Sequence, residues 1–84
     1  MATLYLTDGT NEEVQAVKGR ISLEQAWEAV GGYVERVKLA KRQGVLLVDE
    51  DGLMKGLPVN STASKLAGYA LVGPVLHTKA EGWG

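Results

Sequence analysis

The sequence predicts an α+β fold: a mainly antiparallel sheet of about five or six strands carrying two short helices, in the order ββαβββαβ. Three observations lead there. A capped amphipathic segment runs from Ser22 to Val30 and stops at Gly31-Gly32. A second capped segment begins at Asn60 and stops at Gly68. Short β-prone runs, separated by Asp-Gly and charged turns, lie on both sides of each.

Residues 3–6 read as the first strand, closed by Thr7-Asp8-Gly9, because glycine takes a positive φ without cost. Residues 13–18 alternate weakly and are expected to form an edge strand, with a short helix as the competing reading. In the first helix Ser22 is the N-cap and Gln25 completes a capping box. Ile21 and Ala26 can staple the entry. Leu23, Ala26, Trp27 and Val30 form one apolar stripe. Residues 33–40 follow as a strand, then a charged turn at Lys41-Arg42-Gln43-Gly44. Val45-Leu46-Leu47-Val48 is uninterrupted and apolar, which places it inside the sheet. Asp49-Glu50-Asp51-Gly52 turns the chain, and Leu53-Met54-Lys55 is expected to pair back as a short arm. Asn60 caps a helix to about Ala67, with Ala63, Leu66 and Ala67 facing inward. Residues 70–77 form the last strand. The Gly73-Pro74 interruption assigns it to an edge or a bulge.

With 84 residues, 45% of them hydrophobic and 23% charged, the chain reads as one globular domain over 1–84, with 78–84 a loose tail. There is no Phe and there are only two Trp, so the core is aliphatic with Trp27 as its largest member. A core this small predicts self-association, a homodimer first, with the last strand offering the edge. The absence of cysteine excludes disulfides, thiolate catalysis and cysteine-bound zinc, and it fits a cytoplasmic setting. A net charge of −1 speaks against non-specific nucleic-acid binding. No apolar run approaches the roughly 20 residues that span a bilayer. Asp8 and Glu12 come too early for a signal-peptide layout.

Two places point to a ligand. Alternation along 33–39 puts Tyr33, Glu35, Val37 and Leu39 on one face, the apolar one, so Glu35 is expected to need a partner there. The bland reading is a bulge or a rim ion pair. The start of the second helix, Asn60-Ser61-Thr62 with Lys65 nearby, offers free N–H groups, hydroxyls and charge to an anion. Plain capping by Asn60 is the alternative, and the two can coexist. The acidic turn at 49–52 lacks the ligand spread of a calcium loop, so no metal is expected. His77, the single histidine, has no nucleophile-elbow pattern beside it. Arg36, Lys38, Lys41 and Arg42 read as a solvated basic face, and Trp83 as either a loose or an anchoring residue.

Three stretches carry a family resemblance: Gly31-Gly32-Tyr33-Val34-Glu35, Val48 to Asn60 with its Gly56-Leu57-Pro58-Val59-Asn60 segment, and Leu71-Val72-Gly73-Pro74-Val75. Together they resemble the domain of unknown function 3846 family over residues 22–77. The chain departs from that pattern at Ser61-Thr62, where the family carries bulkier charged residues. The resemblance implies a small phage, plasmid or mobile-element protein and brings no activity with it. By analogy of setting, the expectation is a non-enzymatic protein without cofactor that binds a small phosphate-bearing ligand in the host cytoplasm. Such a protein could sequester a nucleotide immune signal of anti-phage defence. The ligand-binding residues would be Tyr33, Glu35, Asn60, Ser61, Thr62 and Lys65. The alternative is a stoichiometric protein-binding inhibitor of a host factor. A hydrolase using Glu35 and His77 ranks last.

Overall fold

A computed structural model describes residues 2–16, 19–39 and 44–79. Five strands form one antiparallel sheet: β1 (Ala2–Tyr5), β2 (Asn11–Val14), β3 (Val34–Lys38), β4 (Val45–Asp49) and β5 (Val75–Thr78). Helices α1 (Leu23–Val30) and α2 (Ser61–Ala67) complete the order ββαββαβ. The strands lie side by side as β2-β1-β5-β4-β3.

β4 shows how the layers are built. All five of its residues are buried, and successive side chains point to opposite faces of the sheet. Val45 and Leu47 join Ala2, Leu4, Leu76, Ile21 and the α1 residues Ala26 and Val30 in one core. Leu46 and Val48 join Leu39, Val75, Leu71 and the α2 residue Ala63 in the other. Each helix therefore covers one face, and the continuous apolar run of β4 reflects burial on both sides.

The α1 boundaries follow local chemistry. Ser22 Oγ accepts from Gln25 N–H (3.0 Å) while Gln25 Oε1 accepts from Ser22 N–H (2.9 Å), so both halves of the capping box are made. Gly31 ends the helix at φ 86°, a left-handed position that only glycine takes freely. Ile21 and Ala26 are both fully buried in the α1-side core. Trp27 is not its centre, as the sequence implied: it is half-buried and meets Tyr33 edge-on, ring centroids 5.2 Å apart. Leu23 and Leu66 also turn outward, each 37% exposed. The largest fully buried side chains are instead Ile21, Leu46, Leu47 and Leu76.

Four further expectations are corrected. β2 starts at Asn11 rather than 13, and no helix forms at 11–14. Asp8 ties the hairpin loop by accepting from the Thr10 N–H and hydroxyl, which lets pairing resume at once. Residues 53–55 form a helical turn, not a strand: Lys55 N–H donates to Asp51 O and Gly56 N–H to Leu53 O. β5 is interior, between β1 and β4. Pro74 lies just before the first strand residue, where a missing N–H costs no ladder bond, so Gly73-Pro74 marks the strand start and not an edge. Any strand-edge dimer would have to use β2 or β3. Thr78, assigned to the tail, pairs with Val45 inside the sheet. Residues 17–18, the end of the expected second strand, and 40–43 and 80–84, with Lys41, Arg42 and Trp83, lie outside the described residues.

Asn60 joins the second layer to the sheet. It is fully buried. Its Oδ1 accepts from Ala63 N–H (3.1 Å), capping α2, and its Nδ2 donates to Tyr5 O and Gly73 O (2.9 Å each). Its backbone N–H donates to Leu71 O and its carbonyl accepts from Ser64 N–H. Asn60→Ala removes a cap and leaves two carbonyls without this donor, and is expected to cost about 3 kcal/mol in urea denaturation. Asn60→Asp keeps the cap acceptor but cannot donate, so it should also destabilise. A variant of either kind that melts like the parent would show that the hub carries little weight.

Candidate functional site

The candidate site lies at one end of the sheet, where β4 runs into the 50–56 turn. Asp49, the last residue of β4, is buried. It accepts from Lys55 Nζ (2.7 Å) and from Asp51 N–H (2.9 Å). Lys55 also donates to Gly31 O (3.3 Å), stitching the turn to the end of α1. Gly32 makes room for this: a Cβ there would stand 2.9 Å from Lys55 Nζ and 3.2 Å from Asp49 Oδ1. The Lys55 hydrogen bond, helped by the Asp51 N–H and the lysine charge, outweighs burial and holds the Asp49 carboxyl below its ordinary value of 3.8.

Two recesses flank the turn. On the α2 side, a cleft of about 220 Å³ lies between β3–β4 and the segment joining α2 to β5. Buried or half-buried Val37, Val48 and Leu71 line it, together with exposed Glu35, Glu50, Leu53 and Tyr69. On the other side, Trp27, Gly32, Tyr33, Asp51 and Lys55 line a more open depression.

The residues singled out from sequence do not form one site. Glu35 does share the face of Val37 and Leu39, as alternation implied, but it is exposed rather than buried. It lies on an outer strand, so water solvates the carboxylate and no buried partner is required. Tyr33 precedes β3 and leans on Trp27 of α1, the opposite side from Glu35. Asn60 has its side-chain groups taken up by Ala63, Tyr5 and Gly73, leaving none directed at a ligand. Ser61, Thr62 and Lys65 are exposed on α2. The start of α2 is tied to β1 through Tyr5, and three strand spacings, about 14 Å, separate β1 from β3. Glu35 and the first turn of α2 are therefore apart. His77 stacks on Tyr5, centroids 6.2 Å apart. It sits two strands and two residues from Glu35 in register, about 12 Å by sheet spacings, so those two do not converge either. Arg36 and Lys38 are exposed.

Sequence reasoning missed Asp49, Lys55, Leu53 and Tyr69 as neighbours. The 49–52 acidic run is visible in the sequence, but the turn that folds Lys55 back onto Asp49 looks there like a strand arm.

The model of the family described as Domain of unknown function (DUF3846) matches residues 1–84, the whole chain. The chain belongs to that family. No curated protein and no solved structure matches it. Among the described residues, no helix is long and apolar enough to cross a membrane.

The Asp49–Lys55 pair makes a pH-dependent prediction. Because the folded carboxyl value lies below 3.8, its stabilisation is complete above that pH and fades as pH falls through the lowered value. Lys55→Met should therefore lower stability at pH 7 by about 1–2 kcal/mol, a modest figure because the lysine is partly solvated. The gap to the parent should close on acidification below 3.8, as read from urea midpoints across pH. A gap that stays constant with pH would assign the loss to packing instead.

Proposed function

We propose that this DUF3846 chain is a non-enzymatic protein that acts stoichiometrically on a partner protein, in the host-cell cytoplasm of the phage or mobile-element setting. The observation that carries the reading is the 50–56 turn. Leu53 and Met54 at its tip are 83% and 89% exposed, flanked by Tyr69 at 56% and Tyr33 at 64%. Leu53 and Tyr69 line one cleft, and Tyr33 shares the neighbouring depression with Asp51 and Lys55. Single exposed apolar residues are ordinary, but large ones grouped around one turn mark a contact surface. The turn is also tied at its base by the Asp49–Lys55 pair, which lowers the ordering cost of binding.

A second reading is a small phosphate-bearing ligand at the first turn of α2, supported by the exposed hydroxyls of Ser61 and Thr62 beside Lys65. Among the described residues Glu35 makes no hydrogen bond to this turn, so this reading rests on the hydroxyls and Lys65 alone. A thermal-shift panel of cyclic oligonucleotides and ADP-ribose derivatives separates the two readings. A ligand at a hundredfold excess over Kd stabilises by about 2.7 kcal/mol.

The decisive test is differential capture from an extract of the cells that carry the protein. Leu53→Asp combined with Met54→Asp changes two solvated side chains, so folding stability should move by no more than about 0.5 kcal/mol per site. A protein retained by the parent should be lost by the double variant at matched thermal midpoint. Identical captured sets would overturn the reading.

A further inference from the structure

We propose that the cleft beside Glu35 receives an arginine side chain of the partner protein. This rests on the protein-binding reading and names the chemistry that the partner brings. The cleft holds about 220 Å³, below the roughly 300–1,000 Å³ of pockets that enclose drug-sized ligands. That is room for one long side chain.

The lining selects the kind of side chain. Val37, Val48 and Leu71 offer an apolar floor to an aliphatic stem, as when a long basic residue buries its methylenes and keeps its head in water. Glu35 and Glu50 lie at the rim, both exposed, and neither carboxylate has a hydrogen-bond or ion-pair partner among the described residues. Asp49 is already paired with Lys55. Among the described residues, no lysine or arginine lines the cleft. The chain reaches Tyr69 directly from Gly68, the C-cap of α2, so the negative end of the helix adjoins this side. Lys65 in the last turn of α2 offsets that dipole, so the two rim carboxylates supply the attraction for a cation and the repulsion of a phosphate.

Arginine fits better than lysine. Its planar fork can meet two carboxylates and stack on the Tyr69 ring, whereas an ammonium is a compact point charge. The exposed Leu53 and Tyr69 would close over the seated head and exclude water, the arrangement found around anchoring residues at interfaces.

The test uses the whole chain, isotopically labelled, titrated at low salt with acetyl-Gly-Arg-Gly-amide, its citrulline counterpart, and agmatine. The arginine peptide should shift the amides of Glu35, Val48, Glu50 and Leu71 saturably. The citrulline peptide, uncharged but of similar shape, should bind about tenfold more weakly. Glu35→Gln should weaken the arginine peptide several-fold, and Thr62→Glu, on the first turn of α2, should not. If the peptides fail while Leu53 and Met54 still govern capture, the arginine anchor falls and the protein-binding reading stands. Equal binding of the arginine and citrulline peptides, no saturable shift in the cleft, or tighter binding of agmatine than of the peptide each overturns the proposal.

Discussion

Everything on the α2 side of the sheet depends on one buried amide. Asn60 has no exposed surface, and such a polar group is tolerated only when its donors and acceptors are all used. It meets that condition by joining three separate pieces of chain: α2 through Ala63, β1 through Tyr5, and the approach to β5 through Gly73. Hydrophobic contact through Ala63 and Ala67 is small for a seven-residue helix, and the Ser64 hydroxyl, bonded to Leu71, is its other polar tie. The amide supplies the direction that a small apolar surface lacks.

The extent to which the fold is readable in the sequence follows the range of the interactions involved. The Ser22–Gln25 box and the Gly31 stop are contained within one helix, so residue types at fixed spacing reveal them. Asn60 is half-readable: its cap is local, but its bond to Tyr5 joins residues 55 apart in the chain. The interior place of β5 was hidden because Gly73-Pro74 reads as an interruption when it is a strand start. The candidate site fared worse for a related reason. Alternation puts Glu35 on the correct face, yet burial depends on which strand becomes the outer one, and strand order is not a local property. Lys55 shows the same limit, since its partners are set by a turn that carries no periodicity.

The cleft and the ion pair divide the acidic run between two tasks. Asp49 faces the base of the turn, where Lys55 and the Asp51 N–H satisfy it. Glu50 is exposed, as is Glu35 across the cleft. Adjacent carboxylates thus serve opposite ends: one charge is neutralised to hold the turn, and the others stay solvated at a rim. The net charge of −1 conceals this local excess, which is why a whole-chain electrostatic argument says little about the surface.

β4 carries a hidden symmetry. Its apolar residues feed both cores with aliphatic side chains of similar size: Val45 and Leu47 on one face, Leu46 and Val48 on the other. Sliding such a strand by one residue swaps the two sets, and burial alone would scarcely register the exchange. The asymmetric element is Asp49, which belongs on the face where Lys55 waits. One carboxylate at the end of an ambiguous run thereby acts as an index mark, making the misaligned sheet costly when hydrophobicity cannot.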